Sequence, residues 1–203
     1  MTNRPVALVT GATRGIGRAI AVELSSTHRI LVGGRDAARA RELVAELDDA
    51  APFVCDLADE DAVAAACAGI GRLDVLVHSA GIGRSNDIGL ASRALWREVF
   101  ETNVFAVADL TRLLLPALEA ARGIVVAINS GAGFFSSPGG GVYAGSKFAL
   151  RALTDALREE MRGKVRVCSI HPGRTDTDMQ RELQAAMGNE HYDGARYVAP
   201  ESV

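Results

Sequence analysis

Short apolar runs alternate with longer amphipathic stretches from one end of the chain to the other. The runs are rich in β-branched residues and have the length of buried strands, whereas the stretches between them have helical periodicity. This alternation predicts a parallel sheet with right-handed crossovers and helices on both faces. We expect strands at residues 6–10, 30–33, 53–56, 75–79, 124–130 and 165–171, and helices at about 15–27, 36–48, 59–68, 92–120 and 143–162.

Length and composition favour a single α/β domain over residues 1–203, because the chain shows no internal repeat and no linker. A net charge of −3 and scattered arginines give no basic surface for nucleic acid or for a membrane. No apolar run is long enough to span a bilayer, and the N-terminal residues do not resemble a signal peptide. Cys55, Cys67 and Cys168 are expected to be buried free thiols, so we expect a cytoplasmic protein.

A glycine-rich turn follows the first predicted strand and opens the first predicted helix. Its sequence is TGATRGIG at residues 10–17, with Gly11, Gly15 and Gly17 in the order of a dinucleotide fingerprint. Glycines here let the backbone approach a pyrophosphate, and the helix N-terminus supplies N–H donors and a favourable dipole. A glycine triplet alone is a weak signal, but its place between a strand and a helix predicts a cofactor-binding loop.

Two arginines indicate which dinucleotide this loop binds. NAD-binding proteins usually place an acidic residue at the end of the second strand, where it holds the ribose 2′-hydroxyl. This chain has Gly33 and Gly34 there, followed by Arg35, and Arg14 lies in the glycine-rich turn. Guanidinium groups can pair with a 2′-phosphate that a carboxylate would repel. We therefore expect NADP(H) rather than NAD(H); the simpler alternative is that both arginines are solvated loop residues.

Polar and small residues end the third and fourth predicted strands. Asp56 is placed either to cap the following helix or to reach the adenine amino group, and the two roles are compatible. Ser79, Ala80 and Gly81 are small residues at a point where the backbone would pass close to a cofactor. His78 is expected to be a hydrogen-bonded histidine at a strand end rather than a metal ligand, because no other ligands cluster near it.

The fifth predicted strand leads to the best candidate for chemistry. Ser130 ends this strand, and Tyr143 and Lys147 lie four residues apart where a helix is predicted to begin. Residues four apart share a helix face, so the phenol and the ammonium would point the same way. The combination predicts proton transfer, with Ser130 donating a hydrogen bond to a substrate carbonyl oxygen. Taken alone, Tyr-x-x-x-Lys is also compatible with the start of a surface helix.

Tyr143 needs a lowered pKa to act as an acid/base catalyst near neutral pH, since the ordinary value is about 10. A shift of about three units requires roughly 4 kcal/mol of preferential phenolate stabilisation, and one ammonium at about 4 Å supplies at most that much. Because desolvation opposes the shift, Lys147 alone is marginal. We expect the positively charged ring of an oxidised nicotinamide cofactor to contribute the rest.

Together these motifs resemble those of the short-chain dehydrogenase/reductase family, which are Rossmann-type oxidoreductases. The resemblance covers nearly the whole chain, in family order and at family-like spacing. It rests on residues 10–17, Asp56, Ala80-Gly81, Asn103, Ser130, Tyr143-x-x-x-Lys147 and Pro172-Gly173. It implies a doubly wound parallel sheet in three α/β/α layers with strand order 3-2-1-4-5-6, and we expect that a seventh strand common in the family is missing.

The resemblance also implies roles for individual residues. Tyr143 is the expected acid/base, Lys147 also binds the nicotinamide ribose, Ser130 orients the substrate, and Asn103 holds a water molecule in a proton relay. Without the resemblance, Asn103 is simply an exposed or locally bonded asparagine within a helix. The implied cofactor contacts are Gly11, Thr13, Arg14, Gly15, Ile16, Gly17, Arg35, Asp56, Leu57, Ser79, Ala80, Gly81, Tyr143, Lys147, Pro172, Gly173, Thr175 and Thr177.

One motif departs from the family pattern. The chain has His78 and Ser79 where the family most often has two asparagines before Ala-Gly. The loss of both amide side chains is expected to weaken a supporting contact and the affinity for the cofactor, without affecting the reacting atoms.

Residues 174–197 are expected to form a flap over the substrate. Met179, Leu183 and Met187 lie at helix-like spacing there and face either the core or the substrate. An apolar entrance is expected from Ile82, Gly83, Phe134, Phe135 and Pro138. The sequence does not distinguish among a steroid, a ketone, a sugar and an acyl chain.

Apolar residues on more than one face of the 92–120 helix exceed what contact with one sheet requires. We therefore expect a homodimer or homotetramer that associates through the helices at 92–120 and 143–162. The expected activity is NADP(H)-dependent hydride transfer with a small-molecule ketone or secondary alcohol. The alternative is a catalytically idle NADP(H)-binding sensor or interaction protein with the same fold.

Overall fold

Six parallel strands form one sheet in the computed structural model, which describes residues 4–186, 188–189 and 191–203. Their order is β3-β2-β1-β4-β5-β6, so the predicted Rossmann-type topology is confirmed. Observed and predicted strand bounds differ by at most three residues. The strands are β1 (Val6–Val9), β2 (Arg29–Gly34), β3 (Ala50–Val54), β4 (Val75–His78), β5 (Ile124–Ile128) and β6 (Arg166–Ile170).

Helices cover both faces of the sheet and complete the three predicted layers. They are α1 (Gly15–Ser25), α2 (Ala37–Glu46), α3 (Glu60–Cys67), α4 (Arg93–Phe100), α5 (Ala106–Ala121), α6 (Gly141–Glu160) and α7 (Asp178–Ala186). Short 3₁₀ turns lie at Gly131–Gly133, Gly194–Arg196 and Pro200–Ser202. Within the part of the chain that the structure describes, no helix has the length and apolar character to cross a membrane.

Side-chain alternation along the strands divides the core into two sides. Leu8 of β1 packs with Leu110 of α5 and Leu157 of α6, on the side that α3 also covers. Its neighbours Ala7 and Val9 point the other way, towards α1 and α2. Each fully buried Leu or Val contributes about 1.5–3 kcal/mol, so both faces help to stabilise the central strand.

The predicted helix at 92–120 is not one continuous α-helix. The Ser92 hydroxyl accepts a hydrogen bond from Leu95 N at 3.2 Å and caps α4, as expected of this residue type. A π-helical turn at Glu101–Phe105 then separates α4 from α5. Such wider turns occur often at functional sites, and this one carries Asn103.

The structure excludes one of the two roles considered for Asp56 and corrects the expected burial of Cys168. Asp59, not Asp56, caps α3, because its side chain accepts from Ala62 N; Asp56 instead accepts from Ala58 N in the preceding turn. Cys55 and Cys67 are buried free thiols, but Cys168 is exposed. Its strand, β6, lies at the edge of the sheet, where Val167 faces the helices and Cys168 points to the opposite side.

A short β-bridge joins the two ends of the segment that was predicted to form the flap. Thr175 pairs with Val198, with Asp176 N donating to Val198 O at 2.8 Å and Val198 N donating to Arg174 O at 3.0 Å. The chain between these anchors contains α7 and the Gly194–Arg196 turn. Both ends of the flap are therefore held at the same point beside the sheet.

The flap stripe does not pack into the core. No described side chain of α7 is buried; Met179 lines the cavity described below, and Leu183 lies beside Gly83. Met187, the third member of the predicted stripe, lies outside the described residues. The amphipathic pattern here marks a cavity wall, because α7 lies beyond the ends of the strands.

Candidate active site

The glycine-rich turn brings β1, β4 and α1 close together. Gly11 has φ +63°, and a Cβ there would lie 2.8 Å from Ala80 Cα, so a larger residue would push the two segments apart. Arg14 precedes the first turn of α1 and makes no capping hydrogen bond with its side chain. The first N–H groups of the helix are therefore not occupied by a side-chain cap, which suits the binding of an anion.

The Thr10 hydroxyl fixes the end of β4 against β1. It donates to Val77 O at 3.2 Å and accepts from Ser79 N and Ala80 N, each at 3.1 Å. These bonds hold in place the small residues that follow β4, which line the same cavity as the glycine-rich turn.

His78 is a buried, hydrogen-bonded residue in this structure. Its Nε2 lies 2.8 Å from Thr111 Oγ1. The Thr111 hydroxyl already donates to Val107 O at 2.7 Å, so His78 Nε2 is the donor in this pair. Burial lowers the pKa of His78 to about 4, which keeps the ring neutral at physiological pH. Among the described residues, no cluster of His, Cys, Asp or Glu could hold a metal ion.

A cavity of about 280 Å³ runs along the carboxyl ends of the central strands. Most of the residues that the family resemblance assigned to the cofactor line it. They are Gly11, Thr13, Arg14, Gly15, Ile16, Gly17, Arg35, Asp56, Leu57, Ser79, Ala80, Gly81, Tyr143, Lys147 and Thr177. The glycine backbone, the open helix N-terminus and the two arginines fit a phosphorylated dinucleotide.

Three of the expected contacts do not line this cavity. Pro172 O accepts from Gly131 N at 3.2 Å, which ties the chain after β6 to the chain after β5. Thr175 is buried, and its hydroxyl donates to Gly173 O at 3.2 Å. In this structure these residues support the base of the flap.

Lys147 and Tyr143 lie on one face of α6, with Lys147 Nζ 5.7 Å from the centre of the Tyr143 ring. Lys147 is only 5% exposed, and its ammonium donates to Ile128 O at 3.0 Å. Burial lowers the pKa of Lys147 to about 8. Burial also raises the pKa of Tyr143, while a hydrogen bond with Ser130 acts in the opposite direction. The predicted lowering of the phenol pKa is therefore not produced by Lys147 alone.

Ser130 lies between the backbone and the phenol. Its hydroxyl oxygen accepts from Ala132 N at 3.1 Å, and its side chain is hydrogen-bonded with Tyr143. Because the Ser130 hydroxyl accepts a hydrogen bond from Ala132 N, it becomes a better hydrogen-bond donor.

Asn103 is buried and fully hydrogen-bonded, contrary to the usual position of an asparagine within a helix. Its Oδ1 accepts from Ile82 N at 2.9 Å, and its Nδ2 donates to Ile82 O and to Ser146 Oγ, each at 3.0 Å. Ser146 in turn donates to Tyr143 O at 2.7 Å. Asn103 thus connects the loop after β4 to the helix that carries Tyr143 and Lys147.

Several neighbours of the site were not predicted. His171 Nδ1 lies 3.0 Å from Ser130 O, so it is the ring donor to that carbonyl, and its ring packs 4.4 Å from that of Phe134. Asn129 is buried and accepts from Ser130 N, while its Nδ2 has no hydrogen-bond partner among the described residues. Both could have been recognised from the sequence, because Asn129 directly precedes Ser130 and His171 directly precedes Pro172.

Apolar side chains surround the approach to Ser130. Phe134 and Phe135 are exposed on the turn that follows β5, and Ile88 is exposed beside Gly141 at the start of α6. A Cβ at Gly83 would lie 3.1 Å from Leu183 Cδ1 and 3.2 Å from Met179 Sδ, so α7 passes close to this glycine. The expected apolar entrance is thus formed partly by the loops and partly by α7.

Comparison with known proteins identifies the family. The family model described as short chain dehydrogenase matches residues 5–188. This chain belongs to the short-chain dehydrogenase family. Its members of known name include dehydrogenases and reductases, so the family assignment supports an oxidoreductase that binds NAD(P) and acts on a small molecule.

Two curated relatives illustrate the range of the family. A serine 3-dehydrogenase from Agrobacterium fabrum is 38% identical over 180 residues, which is 84% of this chain and 72% of the relative. A 3-oxoacyl-(acyl-carrier-protein) reductase from Pseudomonas aeruginosa is 35% identical over 192 residues, 89% of this chain and 78% of the relative.

Solved structures support the fold and the class of cofactor. An alcohol dehydrogenase from Thermococcus sibiricus complexed with 5-hydroxy-NADP is 27% identical, with a TM-score of 0.86 over 98% of this chain and 86% of that one. A short-chain dehydrogenase from Burkholderia cenocepacia in complex with NADP is 25% identical, with a TM-score of 0.82 over 98% and 80%.

The buried ammonium of Lys147 predicts that Lys147→Met increases stability at neutral pH. The folded-state pKa of about 8 lies below the ordinary value of 10.5, so the fold disfavours the charged form. This penalty is complete below pH 8 and disappears as the pH rises towards 10.5. We expect the free energy of unfolding of the variant to exceed that of the parent by about 1–3 kcal/mol at pH 7 and by less at pH 10.

Urea denaturation at both pH values measures this difference. Lys164→Met removes the only other lysine, an exposed residue, and should change stability by less than about 0.5 kcal/mol. A Lys147→Met variant that is less stable than the parent at pH 7 contradicts the assignment of a costly buried charge.

Proposed function

We propose that this protein transfers a hydride between NADP(H) and a ketone or secondary alcohol, with Tyr143 as the general acid/base. The observation that carries the proposal is the placement of Tyr143 and Lys147 on one helix face in the cavity, with Lys147 Nζ 5.7 Å from the centre of the phenol ring. The cofactor supplies or accepts the hydride through its nicotinamide ring. The side chains position the substrate and move the proton.

In the direction of reduction, the Tyr143 hydroxyl donates its proton to the substrate oxygen as negative charge develops there. Burial raises the pKa of Tyr143, which keeps the phenol protonated before the reaction. Ser130, polarised by Ala132 N, is placed to donate to the same oxygen. In the direction of oxidation, the substrate gives its hydride to the cofactor and its hydroxyl proton to Tyr143.

Lys147 and Asn103 are proposed to support the phenolate. The ammonium of Lys147 favours negative charge on Tyr143, and it is effective because it is buried. Asn103 uses its side chain to anchor Ile82 and Ser146. By family resemblance, it also holds a water molecule that returns the proton through Lys147.

The preference for NADP(H) is proposed from the arginines at one end of the cavity. Gly34 ends β2, so no carboxylate occupies the position that would repel a 2′-phosphate. Arg35 is exposed, lines the cavity and forms no ion pair with any described residue. Arg14 lines the same cavity. The NADP complexes of similar structures support this choice.

The relatives support the type of reaction rather than a particular substrate. One is named for oxidation of serine and another for reduction of a 3-oxoacyl group. We therefore propose a hydroxyl/ketone pair on a small molecule, bound by residues 1–203 acting as one unit under a flap at 174–197. The alternative of a catalytically idle cofactor-binding protein has no support among the described residues, because Ser130, Tyr143 and Lys147 are all present and lie near one another.

A panel of ketones and aldehydes assayed by NADPH oxidation tests the proposed reaction. Tyr143→Phe should lower kcat by at least about 100-fold, because it removes the proton donor. NADPH binding, measured by calorimetry, should change little. Tyr197→Phe serves as a control and should retain full activity, since Tyr197 stacks on Tyr192 and does not line the cavity. A Tyr143→Phe variant that binds NADPH and keeps most of its activity contradicts the mechanism.

Arg35→Gln tests the cofactor assignment. The dissociation constant for NADPH should rise by about 10- to 100-fold, since a charge-assisted phosphate contact contributes about 1.5–3 kcal/mol. The constant for NADH should stay within about two-fold. Arg41→Gln, an exposed arginine on α2, is the matched control. Equal losses for both cofactors, or no loss for NADPH, would overturn the preference for NADP(H).

We further propose a homodimer or homotetramer that associates through α5 and α6. Phe105, 53% exposed, precedes α5, and Phe148, 42% exposed, lies on α6. Exposed aromatic residues on neighbouring helices favour association. Phe105→Glu with Phe148→Glu should give monomers in sedimentation velocity, whereas Val22→Glu, an equally exposed apolar site on α1, should not. A parent protein that sediments as a monomer excludes this proposal.

A further inference from the structure

An ion pair holds the flap helix against the glycine-rich turn. Arg14 Nη1 lies 3.1 Å from Glu182 Oε1 and 3.9 Å from Asp178 Oδ2. Asp178 and Glu182 lie one turn apart on α7, so their carboxylates face the same way. All three side chains are about half exposed, which leaves the pair accessible to a competing anion.

The flap and the turn form two sides of the same end of the cavity. The Thr177 methyl group lies 3.2 Å from the position that a Gly15 Cβ would occupy. Thr177, Asp178 and Arg14 all line the cavity. Glu182 lies beside Arg14, and the methyl group of the adjacent Thr13 lies 3.0 Å from the position that a Gly34 Cβ would occupy at the end of β2. Glu182 is therefore close to the end of the cavity where a 2′-phosphate is proposed to bind.

Glu182 and Asp178 differ in their cationic neighbours. Asp178 also lies 3.8 Å from Arg181, so it has a second cationic neighbour. Among the described residues, Arg14 is the ion-pair partner of Glu182. Arg35, in contrast, forms no ion pair with a carboxylate in the part of the chain that the structure describes. Arg14 is thus already paired with a carboxylate before the cofactor binds, whereas Arg35 pairs with none of the described residues.

We propose that Glu182 is a cofactor-discriminating residue that competes with the 2′-phosphate for Arg14. This inference rests on the proposed function, in which Arg14 and Arg35 bind that phosphate. A carboxylate 3.1 Å from Arg14 occupies the guanidinium, so a 2′-phosphate must displace it before it can pair with Arg14. Glu182 therefore weakens binding of NADP(H) and has no comparable effect on NAD(H), which lacks the 2′-phosphate.

Calorimetric dissociation constants for NADPH and NADH test the competition in the full chain, at an ionic strength of about 50 mM to limit screening. Glu182→Gln should tighten NADPH binding by about two- to five-fold, the range expected when an exposed ion pair is removed. NADH binding should stay constant. Glu160→Gln makes the same charge change at an exposed site on α6 and should alter neither constant. Adenosine 2′,5′-bisphosphate, compared with adenosine 5′-monophosphate, should repeat the difference without the nicotinamide.

The double variant Arg14→Gln/Glu182→Gln separates this inference from the proposed function. If Glu182 acts through Arg14, its replacement should have no effect on NADPH binding once Arg14 is absent. Weaker NADPH binding by Glu182→Gln, an equal gain for NADPH and NADH, or a gain that persists without Arg14 would each overturn the inference. Failure of Arg14→Gln to weaken NADPH binding would instead show that Arg14 is not a phosphate ligand, which contradicts the cofactor assignment itself.

Discussion

The buried ammonium of Lys147 is the constraint on which the arrangement of the site depends. No described carboxylate pairs with it, and Ile128 O at the end of β5 is its hydrogen-bond acceptor. A charge held in this way is costly, so β5 and α6 must be rigid enough to keep it there. The same burial strengthens its electrostatic effect on Tyr143. Stability and chemistry are therefore opposed at this one residue.

Asn103 provides the rigidity that this arrangement requires. It joins Ile82, after β4, to Ser146, which lies directly before Lys147 on α6. A π-helical turn places its side chain between these segments, far apart in sequence. Because each polar atom of the amide is used, a shift of one segment would leave a buried group unpaired. Asn103 thus helps to fix the position of the helix that carries Tyr143 and Lys147.

Sequence patterns predicted the features that depend on local chemistry. Alternating periodicity was sufficient for a parallel sheet with helices on both faces, and the family resemblance supplied the strand order. Ser130, Tyr143 and Lys147 were also recognised as one group from the sequence. Features that depend on packing between distant segments were not predictable. Examples are the exposure of Cys168 on an edge strand, the burial of Asn103, and the pairing of Arg14 with Glu182. The pKa of Tyr143 belongs with these, since desolvation depends on the whole fold.

The bridge between Thr175 and Val198 makes the flap a self-contained insertion. Its ends meet beside the sheet, so a longer or shorter segment changes the closure entropy only slightly, by about 0.6 kcal/mol for a doubling of length. Since Ser130, Tyr143 and Lys147 lie outside this segment, an exchanged segment would leave these three side chains in place. A laboratory chimera can therefore exchange this segment independently of the side chains that are proposed to transfer the proton.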